Sequence, residues 1–442
     1  MSDTLDKLVE LSPGFNTAVD ISGDLANEEK VAAYIPTEVA SEVLLDMGEN
    51  LHPSASRRAR LLTGTYGTGK SHLGLVLTRL YRDGTATPSV APVLQKLSAK
   101  WPGKAKKLKR ERSALEGRFL PVLLNGDRYG SFDDSLLYCL DRALREDGLA
   151  DMLPETAFSA ARARIVELAE KYPDDFERFE ERGREYGFES AKVLKERLRN
   201  MSHAAYEKFC TMHKELFAGA PFYHHHLMSP TEVYESVAKR LREESGYAGI
   251  VVIWDEFGRY MERVVNDPGG LEGQSIQEFA QRGCNNSHTN QIHLYLICHR
   301  SLQEYVEISK IVRARGMSKV EQEDWNKISG RFRAFNMQTT DKEVFQLIDQ
   351  VIIQKDASEE WKAFAERGRD RLDEWTDQAS RLRIFPEFTR SEISSIVTMG
   401  SYPLHPMAAF CLPKISEKVG QNERTCLLYT SPSPRDLSTS RM

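Results

Sequence analysis

A glycine-rich stretch between an apolar pair and an apolar run constrains this chain more than any other feature. Gly64 to Ser71, GTYGTGKS, fits the pattern G-x-x-x-x-G-K-[ST], and it follows Leu61-Leu62 and precedes the run Leu73 to Leu80. A strand, a glycine turn and a helix in this order let backbone N–H groups and the positive helix end surround phosphate oxygens. The stretch predicts a nucleoside triphosphate site, and a chance glycine turn before a helix is the alternative.

Each residue type in this loop has a role at a triphosphate. The glycines permit close backbone approach, Lys70 brings a positive charge to the β- and γ-phosphates, and the Ser71 hydroxyl is a ligand for Mg²⁺. No N-K-x-D guanine-reading pattern occurs where one would be expected, so the predicted cofactors are ATP and Mg²⁺. The predicted nucleotide-binding residues are Gly64, Thr65, Tyr66, Gly67, Thr68, Gly69, Lys70, Ser71 and His72.

A second strand candidate ends in two acids. Gly249 to Trp254 is rich in β-branched residues, as in strands buried on both faces of a parallel sheet, and Asp255 and Glu256 follow it. Ligands bind at the carboxyl ends of such strands. Asp255 is predicted to hold Mg²⁺ through its water shell, and Glu256 to polarise the attacking water. The alternative is a strand that ends by chance in an acidic turn. A small-molecule kinase would not need Glu256, so the pair favours an ATPase.

A third strand is predicted over Ile292 to Arg300, one crossover after Asp255. A phosphate-loop strand, an Asp-Glu strand and then a strand with a polar end is the order of the additional-strand (AAA+/ORC-like) P-loop NTPases. In that class the polar residue senses the γ-phosphate, and His299 is the nearest match here. A histidine that closes a strand at the surface is an equally open alternative.

Two arginines follow a predicted helix near position 325. Arg331 and Arg333 are candidates for the arginine-finger role, in which a guanidinium reaches a neighbouring subunit's γ-phosphate and stabilises the transition state. Arg331 is favoured because Gly330 precedes it. Arginines on a solvated turn remain the alternative.

The predicted fold class is α/β: a P-loop NTPase with a parallel sheet, flanking helices, a helical insertion and a C-terminal helical lid. The insertion is predicted because far more residues separate Lys70 from Asp255 than a compact core needs. The predicted boundaries are 1–53 for an N-terminal segment, 54–335 for the ATPase core, about 154–216 for the insertion, 336–425 for the lid and 426–442 for a disordered tail.

Composition excludes several function classes. No apolar run approaches the roughly 18 residues of a membrane span, and Met1 to Asn16 lacks the basic start of a secretory signal, so a cytoplasmic location is predicted. The cysteines have no C-x-x-C spacing, which argues against a zinc site or a disulfide framework. A basic run at 104–112 could follow DNA phosphates, but the net charge of −5 favours a solvated helix face. The triplet His224-His225-His226 does not favour a metal site, because adjacent side chains point in different directions.

The last residues differ sharply in composition from those before them. Cys426 to Met442, CLLYTSPSPRDLSTSRM, resembles a translated sequencing adapter, and a natural Ser/Pro-rich tail is the alternative. We therefore expect the natural gene to run on beyond Thr425.

Several motifs together resemble the large P-loop ATPases of bacterial defence islands, of the BrxC/PglY type in the BREX phage-exclusion systems. The resemblance is carried by Gly64 to Leu73, Asp255 to Tyr260, Gly330-Arg331-Phe332, His405-Pro406 and Gln421 to Thr425. It implies an AAA+-like ATPase that assembles or remodels a defence complex acting on foreign DNA, with copies of itself or defence-complex subunits as partners and no membrane contact. An origin-recognition-like, nucleotide-gated DNA scaffold and a signalling-type regulatory NTPase remain alternatives.

Overall fold

The apolar stretches of the sequence form the strands of one central sheet. The structure is a computed structural model that describes residues 5–12, 18–65, 67–127, 130–154, 157–200, 202–217, 222, 228–265, 271–287, 289–312, 319–355 and 358–420. Its strands are β1 (Val9–Leu11), β2 (Ala59–Thr63), β3 (Arg118–Asn125), β4 (Tyr247–Asp255), β5 (Gln291–Ile297), β6 (Arg333–Asn336) and β7 (Ile352–Gln354).

Strands β2 to β6 form a five-stranded parallel sheet in the order β3-β4-β5-β2-β6. Asn125 at the end of β3 lies opposite Asp255, and Trp254 lies opposite Leu296 of β5. Every residue of β2, β4 and β5 is buried, as the β-branched stretches predicted. Strands β1 and β7 pair separately and antiparallel. The fold is therefore α/β with helices flanking a parallel sheet, which confirms this part of the predicted fold class.

The described chain divides into two compact units. Unit 1 is Met1–Glu49, Leu62–Ser113 and Ala334–Met442, and unit 2 is Asn50–Leu61 and Ala114–Arg333. The glycine-rich loop, Gly64 to Gly69, belongs to unit 1, and Asp255 and Glu256 belong to unit 2. The predicted ATPase core, 54–335, is thus distributed over both units.

Helices account for most of the remaining described residues. The first group is α1 (Leu5–Leu8), α2 (Glu28–Ala33), α3 (Glu38–Glu49), α4 (Lys70–Asp83), α5 (Ala91–Lys100) and α6 (Pro102–Ala114). Unit 2 contains α7 (Phe132–Glu146), α8 (Ala157–Lys171), α9 (Pro173–Glu185), α10 (Ala191–Arg199), α11 (His203–Leu216), α12 (Pro230–Glu244), α13 (Phe257–Val264), α14 (Leu271–Glu278), α15 (Leu302–Val312) and α16 (Lys319–Ser329). Unit 1 ends with α17 (Asp341–Val351), α18 (Glu359–Arg367), α19 (Arg369–Arg381), α20 (Arg390–Glu392) and α21 (Pro406–Gly420). Short π-helical stretches at Phe279–Asn285 and Ile393–Met399 continue α14 and α20. None of the helices described is long and apolar enough to cross a membrane.

The predicted insertion is helical and shares the core of unit 2. It contains α8 to α11, and its buried residues Phe158, Ile165 and Phe209 belong to the same hydrophobic cluster as Val252 of β4. The predicted lid is also helical as far as it is described. Its own cluster includes Phe345, Phe385 and Val397, from α17, the segment after α19 and the second π-helical stretch. The tail at 426–442 lies outside the described residues.

Among the described glycines of unit 2, Gly249 of β4 has the least room for a side chain beside neighbouring backbone. A Cβ atom added there would lie 2.0 Å from the Gln291 carbonyl oxygen of β5. We expect Gly249→Ala to lower the free energy of unfolding by about 3 kcal/mol or more, because backbone of a central strand must move. The midpoint of urea unfolding measures this. Gly103→Ala is the matched control, since its Cβ would meet nothing within 4 Å. Equal midpoints for the two variants would contradict the expectation.

Candidate functional site

The glycine-rich loop of unit 1 connects β2 to α4. Gly67 and Gly69 have φ values of 81° and 78°, in the left-handed region that glycine adopts without strain. A Cβ atom on Gly67 would meet no heavy atom within 4 Å, so the space beside it is open. Gly69 is the N-cap of α4 and supplies no side-chain acceptor to the first-turn N–H groups. This arrangement suits an anion at the start of α4.

Lys70 lies within the curve of this loop. Its side chain is buried, and Nζ donates hydrogen bonds to the carbonyl oxygens of Gly64 and Thr65, both at 2.6 Å. Thr68 Oγ1 lies 3.4 Å from the same nitrogen and donates to the Thr65 carbonyl. A buried ammonium beside glycine N–H groups is a donor set that fits a phosphate group. The predicted loop residues Gly64, Thr65, Thr68 and Lys70 are therefore in contact with one another.

The remaining predicted loop residues are placed differently. Ser71 is half-buried in the first turn of α4, and Thr65 and Gly67 are exposed. His72 is buried, its Nε2 lies 2.5 Å from the Lys30 carbonyl oxygen, and its ring meets Tyr34 edge to face with centroids 4.9 Å apart. The imidazole of His72 therefore packs on α2 and the residue after it. Tyr66 lies outside the described residues.

His72 makes stability depend on pH. Burial, with smaller contributions from the positive charges of Lys96 and Lys30, lowers the pKa of His72 to about 4, against the partial opposition of its hydrogen bond and Asp24. Below pH 6.5 the unfolded chain binds a proton here that the folded chain does not bind until about pH 4. We expect the free energy of unfolding to fall by roughly 3 kcal/mol from this residue as pH falls through that window.

His72→Phe isolates this contribution, because phenylalanine keeps a ring against Tyr34 and cannot titrate. Urea unfolding of both proteins at pH 7 and at pH 4.5 measures the difference. The variant should lose less stability on acidification than the wild-type chain. Identical losses would show that His72 is not the group responsible.

The acid pair of unit 2 lies at the end of β4. Asp255 is buried, its carbonyl oxygen accepts from the Gly126 N–H at 2.9 Å, and its Oδ1 accepts from the Glu256 N–H at 2.8 Å. Glu256 has φ 51° and ψ 32°, which is a left-handed conformation. Arg383 is the only other non-glycine residue with a positive φ among the residues described. Such a backbone costs about 1–2 kcal/mol, and it is concentrated at functional sites.

The carboxylate of Glu256 is paired with Arg259, one turn later in α13. Arg259 Nε lies 3.1 Å from Oε2, and Nη2 lies 3.4 Å from Oε1. Arg259 belongs to the Asp255 to Tyr260 motif but was not among the predicted site residues. The i,i+3 spacing of opposite charges after a strand end is the signal that could have found it. Asn125, which lies opposite Asp255 in the register, was not predicted either.

The other three predicted residues contact different elements. His299 follows β5 by two positions and is half-buried, and its backbone lies beside the Tyr305 hydroxyl of α15. Arg331 follows α16 as predicted; its carbonyl oxygen accepts from Asn285 Nδ2 at 2.8 Å, and its Nε is buried without a hydrogen-bond partner. Arg333 is the first residue of β6. These contacts leave the sensor and finger roles as predictions.

Ser71 and Asp255 are the residues whose chemistry suits Mg²⁺. Mg²⁺ usually keeps several waters and takes one or two oxygen ligands from the protein together with phosphate oxygens. A hydroxyl and a carboxylate therefore fit the ion without a larger ligand cluster. No group of three or more His, Cys, Asp or Glu side chains suited to a metal occurs among the residues described. The triplet at 224–226 lies outside them.

The basic run at 104–112 lies in α6 and is partly used within unit 1. Lys104 Nζ donates to Ser41 Oγ at 2.8 Å, Lys107 pairs with Glu49 at 2.5 Å, and Arg112 Nε donates to the Leu80 carbonyl at the end of α4. Lys106 and Lys109 are exposed. The run therefore serves packing as well as solvation, which agrees with the preferred interpretation of a helix face.

Comparison with known proteins gives no relative. No protein-family model, curated protein or solved structure matches this chain. The functional argument therefore depends on the motifs and on the geometry around them.

Proposed function

We propose that this protein binds ATP with Mg²⁺ and hydrolyses it. The observation that carries the proposal is the buried Lys70 ammonium enclosed by the glycine loop at the start of α4. The Lys70 ammonium and the N–H groups of the loop are donors that suit the oxygens of a β- or γ-phosphate, and the space beside Gly67 is open.

The strand order supports the additional-strand (AAA+/ORC-like) class. Strand β5, which precedes His299, lies between β4, which carries the acid pair, and β2, which precedes the phosphate loop. An extra strand between these two is the feature that names the class. The polar residues at the ends of β4 and β5 follow the rule that parallel sheets place ligands beyond the carboxyl ends of their strands.

The proposed chemistry gives each residue one role. Lys70 neutralises charge on the β- and γ-phosphates, and Ser71 and Asp255 hold Mg²⁺, which supplies further charge neutralisation when bound. Glu256 accepts a proton from water as the water oxygen bonds to the γ-phosphorus. The bond from that phosphorus to the β–γ bridging oxygen breaks, and its electron pair leaves with ADP.

Arg331 is the candidate that we propose for completing the site of a second copy of this chain. The basis of this proposal is its place directly after Gly330 and α16. Arg333 is the alternative within the same role. His299 is proposed as the γ-phosphate sensor on the strand order alone.

The experiment that tests the proposed function measures ATP binding and phosphate release by the whole chain, with and without Mg²⁺. Two variants accompany the wild-type protein: Lys70→Ala should lose binding, and Glu256→Gln should lose turnover only. A wild-type chain that binds no nucleotide at millimolar Mg²⁺ would overturn the proposal.

The motif resemblance supports a wider proposal, that this ATPase assembles or remodels a cytoplasmic phage-defence complex. Neighbouring genes for a methyltransferase and a phosphatase-like protein would support it, and their absence would count against it. A DNA-gated scaffold receives less support, since Lys104, Lys107 and Arg112 of the basic run already have partners within the protein. Turnover that DNA stimulates with a steep salt dependence would reverse that preference.

A further inference from the structure

The Glu256 carboxylate is paired with the guanidinium of Arg259 in α13. Arg259 Nη2 donates a hydrogen bond to Oε1 at 3.4 Å, and Nε lies 3.1 Å from Oε2 as an ion pair. These two contacts, called the fork below, restrict the orientation of the carboxylate as well as its position. The Arg259 and Glu256 side chains are 37% and 27% exposed, so the pair is reachable by water.

The Glu256 side chain has few other restraints at the start of α13. Glu256 is left-handed and is the N-cap of α13, yet its side chain makes no capping hydrogen bond to that helix. Its N–H donates to Asp255 Oδ1 at 2.8 Å, which holds the backbone. The carboxylate lies beyond three rotatable side-chain bonds, and the Arg259 fork restricts the rotamers that these bonds allow.

The turn after β3 forms a wall beside the ion pair. Gly126 is held by its N–H to the Asp255 carbonyl and by its carbonyl to Trp254 Nε1, both at 2.9 Å. A Cβ atom on Gly126 would lie 3.8 Å from both Glu256 Oε2 and Arg259 Cδ. The carboxylate is thus restrained by its own backbone and by the guanidinium, and it lies beside this turn.

We propose that Arg259 is a positioning residue that orients the Glu256 carboxylate to accept the proton of the attacking water. This inference rests on the proposed function. Each carboxylate oxygen has two acceptor sites, and the hydrogen bond from Arg259 Nη2 uses one on Oε1, so others can accept a water hydrogen bond. The proton moves from that water to a Glu256 oxygen while the water oxygen bonds to the γ-phosphorus. Arg259 itself touches neither the water nor the nucleotide in this role.

The test is a comparison of kcat, KM and ATP affinity for substitutions at Arg259. We expect Arg259→Gln to lower kcat by about 10- to 100-fold, the scale of effect of a small misplacement of a catalytic group, with KM and ATP affinity within about twofold. Arg259→Lys keeps the charge but cannot form the fork, so its kcat should lie between those of the wild-type chain and Arg259→Gln. An unchanged or higher kcat in Arg259→Gln would overturn the inference.

Arg263→Gln is the matched control. Arg263 lies one turn further along α13, is similarly exposed, and pairs with Asp127 at 2.8 Å instead of Glu256. The Arg263→Gln substitution removes the same charge from the same helix, and the kcat of this variant should equal that of the wild-type chain. A loss as large as that of Arg259→Gln would mean that α13 is merely destabilised, and it would refute the positioning role.

A double substitution separates positioning from general damage. Glu256→Asp keeps an acid and a measurable rate but withdraws the carboxylate from the guanidinium. In that background Arg259→Gln should change kcat by less than about twofold, whereas a structural defect would lower it by the same factor as in the wild-type chain. If the wild-type chain binds no ATP, the proposed function fails. If Glu256→Gln hydrolyses ATP normally, Glu256 is not the base, and the positioning role fails while the proposed function stands. If Glu256→Gln is inactive and Arg259→Gln is normal, only the positioning role fails.

Discussion

Lys70→Ala is expected to abolish ATP binding. Lys70 is 5% exposed, and its ammonium lies at hydrogen-bonding distance from two loop carbonyls, at the position where the loop would meet the β- and γ-phosphates. Losing charge-assisted hydrogen bonds to phosphate costs about 3 kcal/mol or more, which raises the Kd for ATP at least about 100-fold. Isothermal titration calorimetry with Mg-ATP measures the change.

Lys96→Ala is the matched control for Lys70. Lys96 also belongs to unit 1, and its Nζ donates to the carbonyl oxygens of Ala32, Ala33 and Tyr34 at 2.9 to 3.2 Å. The Lys96→Ala substitution removes a lysine that is bonded to carbonyl oxygens but leaves the glycine-rich loop unchanged, so ATP affinity should be retained. If Lys70→Ala is folded and binds ATP as tightly as the control, the phosphate-loop assignment is wrong.

Glu256→Gln is expected to retain ATP binding and to lose turnover. Glutamine has the shape of glutamate and can still accept one hydrogen bond from Arg259, but it cannot accept a proton from water. General base catalysis contributes about 10²- to 10⁴-fold, so kcat should fall by that factor while the Kd for ATP stays within about twofold. Phosphate release at saturating Mg-ATP measures kcat, and calorimetry measures the Kd.

Glu262→Gln serves as the control for this substitution. Glu262 is an exposed residue of α13, the helix that Glu256 caps, and its substitution by glutamine removes the same charge. Its turnover should match that of the wild-type chain. A Glu256→Gln protein that hydrolyses ATP at the wild-type rate would remove Glu256 from the mechanism, whatever the control does.

Regular elements with strong local patterns were predictable from the sequence. The apolar run before the acid pair predicts a strand, which is Tyr247–Asp255. The helical spacing of Val233, Val237 and Leu241 predicts a helix over Pro230 to Glu244, which has those bounds. Both depend on side-chain periodicity and on capping within a few residues, such as the Ser229 and Glu232 capping box. Information of this kind is contained in a short window of sequence.

Elements that depend on distant partners were missed. The sequence pattern over Thr340 to Lys355 predicts one helix, but α17 ends at Val351, because Ile352–Gln354 pairs with Val9–Leu11 near the start of the chain. The charged pattern of the insertion predicts two or three helices, whereas the described residues contain four, α8 to α11. Its dense charge hid the apolar positions, such as Leu194, that pack into the core of unit 2.

The sequence alone determined the chemistry of the candidate site: a loop of glycines with Lys70 and Ser71, and a strand that ends in Asp255-Glu256. Residue type and spacing are enough for this, because a phosphate loop and a strand end are local structures. Only the tertiary structure decided the strand order, the packing of His72 on Lys30, and the grip of Arg259 on a left-handed Glu256. These depend on which charged and aromatic groups meet after folding. His72 and Lys30 are too far apart in the sequence for spacing to predict their contact. Arg259 and Glu256 are close in the sequence, but spacing does not specify the rotamers that bring their side chains together.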